Sequence, residues 1–289
     1  MRTKLRRCKS YHGVYFIAEI GQNHQGSLSV AKTMVDSLVG TGVAAIKTAK
    51  RDIDTCLTQE QKDMPYKNPN SFGDTYYEHR KALELSKDDF RTLKLYAQDR
   101  GFDFISSFTD VNSLDFLVEI GVPVLKIASQ RLTDKVLLGK AAATGLTVII
   151  STGMSDITDV DAAIDIFRGN EKYLLQCTSS YPCYEKDIHL RVIETYMERY
   201  GKGVDGYGFS GHHVGVAPDI AAFLMGADII ERHYTLHRHW KGSDHAVSLE
   251  KQGIEYLLKY ISQVREAMGV GYKQVLDCEQ EAIKKLRGK

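Results

Sequence analysis

The sequence has no Cys-x-x-Cys pair, no long block of one charge sign, only one tryptophan, and no apolar run of about 18 residues, the length of a membrane span. Its five cysteines (Cys8, Cys56, Cys177, Cys183 and Cys278) are odd in number and scattered, which speaks against a disulfide framework or a zinc cluster and for reduced thiols in the cytoplasm. A formal net charge of +1 without a basic stretch gives no electrostatic footing for nucleic acid, and the short apolar runs leave no membrane span. Arg2, Lys4, Arg6, Arg7 and Lys9 imitate the start of a signal peptide. The apolar run that follows, Val14 to Ala18, is too short and is broken by Glu19, so no signal peptide is expected. No G-x-G-x-x-G follows the first apolar run, which argues against a dinucleotide fold.

What remains is an ordinary globular composition, 43% apolar and 26% charged, over 289 residues, enough for one large barrel or two smaller domains. The order of elements decides between them. Short β-rich runs recur at Val14–Ile20, Val43–Lys47, Phe102–Ser107, Val122–Ile127, Thr147–Ser151, Tyr173–Cys177, Gly206–Ser210 and Ala227–Ile230. Between them lie stretches with helical apolar spacing, such as Leu28, Ala31, Met34, Val35 and Leu38 behind a capping Ser27. Eight alternations of this kind predict an α/β TIM (β/α)8 barrel. The exception is the polar, irregular stretch after the second strand, with Pro65, Pro69 and the aromatics Tyr66, Phe72, Tyr76 and Tyr77. A loop that long in a compact domain predicts an active-site lid.

Chemistry in such a barrel sits at the C-terminal ends of the strands, and those ends are unusually polar here. The eighth strand runs from Ala227-Asp-Ile-Ile into Glu231-Arg-His233, and the seventh ends on His212. Two imidazoles on neighbouring strand ends can share one divalent metal; a lone one is more often a hydrogen-bonded surface residue. His213 faces the other side of its strand and reads as structural, His237 and His239 as solvated, and His245 as bordering the site. Lys47 and Lys126 end strands two and four, where an ammonium normally faces an anion or else a structural acid. Ser129, Ser151, Ser179 and Ser210, with Ser107 as a looser fifth, sit at or just past strand ends and either cradle an anion or cap the next helix. Glu19 ends strand one and is either a bridge to Lys47 or the general acid/base. Cys177 lacks an assigned base and reads as packing.

Several motifs taken together resemble one family. They are Glu19-Ile-Gly-Gln-Asn-His-Gln-Gly26, Lys126, Ser151-Thr-Gly-Met154, Gln176-Cys-Thr-Ser-Ser-Tyr-Pro182, Gly206-Tyr-Gly-Phe-Ser-Gly-His212, Glu231-Arg-His233 and Trp240-Lys-Gly-Ser-Asp-His245. With Met64-Pro-Tyr and Ser71-Phe-Gly-Asp-Thr-Tyr-Tyr-Glu-His79, the chain is similar to the sialic acid synthases, most of all to the N-acetylneuraminate-9-phosphate synthase branch.

The resemblance implies a transferase that condenses phosphoenolpyruvate with an N-acylated aldose, N-acetylmannosamine or its 6-phosphate, using Mn²⁺ or Mg²⁺. The alternatives are a legionaminate- or pseudaminate-type synthase, or a non-catalytic sugar- or phosphate-binding barrel. It assigns Glu19, Lys47 and Lys126 to catalysis. Lys47, Ser107, Lys126, Ser129, Ser151, Ser179 and Ser210 go to phosphoenolpyruvate. Asn23, His24, Tyr181, Glu231 and Asp244 go to the sugar, and His212 and His233 to the metal. Residues 1–12 are expected to be an extension, 13–271 the barrel, and 272–289 a tail where the family's C-terminal antifreeze-like domain would begin. A cytoplasmic homodimer is expected, with a separate antifreeze-like protein as a partner, since family members carry that domain and use its arginine across the dimer. Two further departures stand out: Lys47-Thr-Ala49 replaces the usual Lys-x-Gln, and Ser129-Gln-Arg131 carries no acid after strand four.

Overall fold

In the computed structural model, which describes Leu5 and residues 13–288, eight parallel strands close on themselves in sequence order. They are β1 (Tyr15–Gly21), β2 (Ala45–Lys50), β3 (Asp103–Phe108), β4 (Val124–Ile127), β5 (Thr147–Ser151), β6 (Lys172–Cys177), β7 (Gly206–Gly211) and β8 (Ile229–His233). β1 pairs with both β2 and β8, which closes the sheet and leaves it no free edge. The expected TIM barrel is the fold observed.

The connecting segments fold for readable reasons. α1 (Leu28–Ser37) starts where the Ser27 hydroxyl accepts from the Val30 N–H, and it buries Ala31, Met34 and Val35 on one face. The stretch expected to be one irregular loop instead holds α2 (Ile53–Cys56), α3 (Gln59–Asp63) and α4 (Tyr76–Ala82). Thr58 with Gln61, and Thr75 with Glu78, form reciprocal capping boxes that let such short helices begin at all. Beyond α5 (Lys87–Asp99), the helices α6 (Val111–Glu119), α7 (Lys135–Ala143) and α8 (Ile157–Ile166) each start on an aspartate side chain, Asp110, Asp134 or Asp156, that accepts a first-turn N–H. α9 (Val192–Tyr200), α10 (Ala217–Leu224) and α11 (Lys251–Met268) complete the outer ring, and α12 (Gln280–Arg287) lies exposed after it. No helix among the described residues is long and apolar enough to cross a membrane.

The period-two alternation of the strands sorts their side chains into two cores. Outward-facing residues such as Phe16, Ile46, Phe104, Leu125 and Ile150 pack under the helices. Inward-facing residues, among them Tyr15, Ile17, Ala45, Ile105, Val124, Ile149, Leu175 and Ile229, fill the barrel interior. Each such large apolar side chain contributes about 1.5–3 kcal/mol on burial, so the lower barrel is a sealed plug. Leu5 packs against this interior cluster. The rest of the expected extension, with its basic residues and Cys8, lies outside the described residues.

Candidate active site

Following the inward set upward along each strand, the apolar plug ends and polar residues begin at the same level. Ile17 gives way to Glu19, Ala45 to Lys47, Ile105 to Ser107, Val124 to Lys126, Ile149 to Ser151, Leu175 to Cys177, and Ile229 to Glu231. All seven of these upper residues line one cavity of about 430 Å³ at the C-terminal mouth of the barrel. One further step of alternation brings Ser179, His212 and His233 to its wall.

Its floor is a compact set of charges. Lys47 and Lys126 flank one carboxylate, with Glu231 Oε1 at 3.7 Å and 3.8 Å from their ammonium nitrogens. Glu19 pairs with Lys47 from the other side. Ser210 Oγ donates to Glu231 Oε1 at 3.0 Å, and Lys126 Nζ donates to Ser151 Oγ at 2.5 Å. Burial alone would raise the Glu231 carboxyl, but the two lysines outweigh it and hold it down at about 2. Burial pushes the Lys47 ammonium down to about 8, against the pull of Glu231 and with the help of Lys126. Glu231, expected on the sugar side, is therefore the central counter-ion of the floor.

The serines form the adjoining wall. The Gly153 N–H donates to Ser129 Oγ at 3.0 Å. Only glycine permits this approach, because a Cβ at position 153 would lie 2.2 Å from Ser179 Oγ and 2.9 Å from Ser129 Oγ. Ser129 Oγ also donates to Cys177 Sγ at 3.6 Å. Ser107, Ser129, Ser151, Ser179 and Ser210 all line the cavity, so the expected hydroxyl cradle is assembled in one place.

His212 and His233 face each other with ring centroids 5.4 Å apart, and Tyr181 covers His212 at 4.2 Å. His212 Nδ1 donates to the Thr178 carbonyl at 2.9 Å, which fixes the tautomer and leaves the Nε2 lone pair free. Burial holds His233 down at about 4, so it is neutral at pH 7, and its Nδ1 is buried without a hydrogen-bond partner. Asp244 Oδ2 lies 3.9 Å from that nitrogen. Among the described residues, no set of three or more His, Cys, Asp or Glu side chains is gathered to hold a metal. His233, neutral at pH 7 with an unsatisfied ring nitrogen, and His212 facing it, whose proton affinity Cys177 and the Thr178 carbonyl raise against burial, nevertheless suit a borderline divalent cation whose other positions go to water or substrate oxygen.

Behind this wall, His213 takes its expected structural place. It is fully buried with Arg232 and Asp219. Arg232 Nη2 donates to the His213 carbonyl at 2.6 Å, and Arg232 Nη1 donates to the Gly215 carbonyl at 2.9 Å. The guanidinium thereby pins the turn that carries His212.

Two expected sugar residues are placed elsewhere. Asn23 Nδ2 donates to the Tyr234 carbonyl at 2.8 Å and to Ser248 Oγ at 2.9 Å, tying the turn after β1 to the segment after β8. His24 is buried, and its Nδ1 accepts the Gly26 N–H within the same turn. Neither lines the cavity; both hold the loop in shape. His245 is likewise buried, with Nδ1 2.7 Å from Thr235 Oγ1 and its ring beside Trp240, while His237 and His239 are exposed. Arg131 turns to Asp134 of its own segment, 3.8 Å away. Tyr181 and Asp244 do line the cavity.

Gln22, Arg51, Tyr66 and Arg80 also line it. Sequence reasoning assigned none of them a role, although Arg51 continues the inward series Ala45, Lys47, Ala49 by one step. The polar stretch expected to be a lid is what carries Tyr66 and Arg80.

The sequence profile of the NeuB family matches residues 34–273. The N-acetylneuraminate-9-phosphate synthase of Homo sapiens is 38% identical over 277 residues, 95% of this chain and 77% of that protein. The Drosophila melanogaster enzyme of the same name is 39% identical over 283 residues, 97% of this chain and 74% of that one. Among solved structures, the N-acetylneuraminic acid (sialic acid) synthetase of Leptospira borgpetersenii, in complex with citrate, superposes with a TM-score of 0.81 at 32% identity, covering 96% of this chain and 93% of that one.

Proposed function

The chain belongs to the NeuB family of sialic acid synthase-type enzymes, and from that premise we propose that its barrel condenses phosphoenolpyruvate with an N-acylated aldose, N-acetylmannosamine or its 6-phosphate, releasing phosphate. The observation that carries this reading is the joint presence, in one cavity, of two buried lysines, a ring of serine hydroxyls and a facing pair of imidazoles.

Each group has a task set by its surroundings. Lys47 and Lys126 hold the phosphate and carboxylate of phosphoenolpyruvate, with Ser107, Ser129, Ser151, Ser179 and Ser210 donating to the remaining oxygens. Ser210 and both lysines are already tethered to Glu231, so they are pre-oriented before the anion arrives. His212 and His233 are the residues that would hold a divalent cation, Mn²⁺ or Mg²⁺. When bound there, that cation supplies Lewis-acid polarisation of the aldehyde oxygen. Tyr181 and Asp244 bound the side on which the sugar lies.

In the chemical step the methylene carbon of phosphoenolpyruvate bonds to the aldehyde carbon, and the aldehyde oxygen takes a proton to become a hydroxyl. Water adds to the cationic carbon left behind. Loss of phosphate through its C–O bond then gives the 2-oxo acid. Glu19, paired with Lys47 at the floor, is the acid/base group placed to take a proton from that water.

The direct test measures phosphate release from phosphoenolpyruvate with Mn²⁺, with and without chelator, offering N-acetylmannosamine, its 6-phosphate or no sugar. Sugar-dependent, chelator-sensitive release with a nine-carbon acid by mass spectrometry is expected. The absence of both phosphate release and phosphoenolpyruvate binding would overturn the proposal.

A pH dependence follows from Lys47. Its folded value lies near 8, so the free protein loses this proton as pH rises through 8. An anion selects the protonated form, so affinity for phosphoenolpyruvate falls about tenfold per pH unit above 8 and levels off below it. Calorimetric titration on both sides of pH 8 checks this. Affinity that stays constant above pH 8 would mean that Lys47 does not hold the anion, or that Glu19 keeps it charged.

A further inference from the structure

The ladder between β7 and β8 stops one rung short of the two histidines. Its last paired positions are Gly211 and Arg232, so His212 and His233 each stand one residue past that rung. Nothing in this ladder fixes the distance between them. The alternation that turns both imidazoles into the cavity turns their neighbours, His213 and Arg232, to the back of the same two strands. Asp219, in the first turn of α10, meets them there, and all three side chains are fully buried.

Arg232 makes the bridge that the ladder lacks. Besides the two carbonyls of the turn, its Nη1 donates to Asp219 Oδ2 and lies 3.0 Å from His213 Nε2. That ring nitrogen is in turn 3.2 Å from Asp219 Oδ2. One guanidinium, borne on β8 between Glu231 and His233, therefore grips the turn after β7 by its backbone and by a ring. Gly211 leaves room for this, since a Cβ there would lie 2.7 Å from the Phe209 ring and 2.9 Å from the His213 ring. As a source of stability the knot is poor. Asp219 Oδ1, Arg232 Nε and His213 Nδ1 are all buried without a hydrogen-bond partner. A buried ion pair with unmet groups contributes little over apolar packing of the same volume. What it supplies is position and charge balance: Asp219 cancels a positive charge that would otherwise stand directly behind the two imidazoles.

We propose that Arg232 and Asp219 are positioning residues that set the separation of His212 and His233, and with it the affinity for a divalent cation. They do so from behind the strands, touching neither cation nor substrate. This rests on the reading of the two imidazoles as the residues that would hold the cation. Arginine suits the task because its planar fork reaches two carbonyls and a carboxylate at once, which an ammonium does not.

The experiment titrates Mn²⁺ by calorimetry into wild type, Arg232→Lys, Asp219→Asn and the double variant Arg232→Met/Asp219→Leu, with a thermal denaturation curve for each. Arg232→Lys keeps the charge and loses the fork; Asp219→Asn keeps the fork and leaves its charge uncancelled. Each is expected to weaken Mn²⁺ binding by about 10- to 100-fold, the usual loss when a group that orients a metal ligand is removed. The double variant removes both buried charges, so it is expected to melt above Asp219→Asn. It has also lost the grip on the turn, so its Mn²⁺ affinity is expected to stay low. A pair that serves stability alone cannot separate the two readouts in this way. Wild-type Mn²⁺ affinity in the folded variants, whatever their melting temperatures, would overturn the proposal. So would affinity that returns together with stability in the double variant. A wild type that binds no Mn²⁺ is a different failure: it removes the imidazole cation site itself, and the positioning role falls with it.

Discussion

Lys126→Met is expected to lower kcat/KM for phosphoenolpyruvate by about 10³-fold, roughly 4 kcal/mol of transition-state stabilisation. Lys126 is 2% exposed, and its ammonium lies between Ser151 and Glu231. Methionine fills similar space without charge, so the loss is electrostatic. It has two parts: an anion donor disappears, and Glu231 is left with only Lys47 and Ser210 to offset a carboxylate that now repels the incoming substrate. Folding is expected to suffer less. Breaking a buried pair usually costs about 3–5 kcal/mol, but Lys126 also repels Lys47 across Glu231, and the substitution relieves that repulsion. The same relief lets Lys47 keep its proton longer, so the pH limb near 8 should move upward in the variant. Steady-state kinetics and thermal denaturation on one preparation test the split. An unchanged KM and kcat for phosphoenolpyruvate would mean that the substrate lies away from this floor.

How much of this was legible without coordinates depended on the range of the interaction. The strands, and the residues at their last inward positions, follow from period-two alternation within six or so neighbours. For that reason Lys47, Lys126, Ser151, Ser210, His212, Glu231 and His233 are expected at strand ends, and they line one cavity. Arg51 obeys the same alternation, but Lys50-Arg51 offers two adjacent cations and sequence alone does not say which turns inward. Lys50 is held outward by Glu84 and the Leu85 carbonyl, partners more than thirty positions away. Asn23 and His24 go the other way, turning from the cavity towards the loop. They lie in a motif that looked functional, yet Asn23 answers to Tyr234 and Ser248, more than two hundred positions on. The stretch after β2 hid its helices because each is too short for an apolar stripe, although Thr58-x-x-Gln61 and Thr75-x-x-Glu78 were capping boxes in plain view. Arg80 depends on the path of that whole stretch, and no local pattern encodes it.

Replacing His233 or His212 by alanine is expected to reduce turnover by about 10³-fold and to weaken Mn²⁺ binding by at least about 100-fold, since each change removes one of only two protein nitrogens facing the proposed cation. The charges of the floor give the proposed cation a reason to bind there. Lys47 and Lys126 are already matched by Glu19 and Glu231, so the floor is close to neutral before substrate enters. Phosphoenolpyruvate brings a carboxylate and a phosphate of about −1.5 to −2. Serine hydroxyls lower that cost without cancelling it, and a divalent cation at the histidines would restore most of the balance. Metal binding by calorimetry in the absence of substrate separates this role from acid/base chemistry. If the imidazoles only shuttle protons, alanine will abolish turnover while leaving Mn²⁺ affinity and chelator sensitivity as in wild type. If they hold the cation, both variants will lose Mn²⁺ affinity together, and His212→Ala will do so although its Nδ1 anchor, the Thr178 carbonyl, is untouched. Preserved Mn²⁺ binding in both variants would place the cation elsewhere and overturn the assignment.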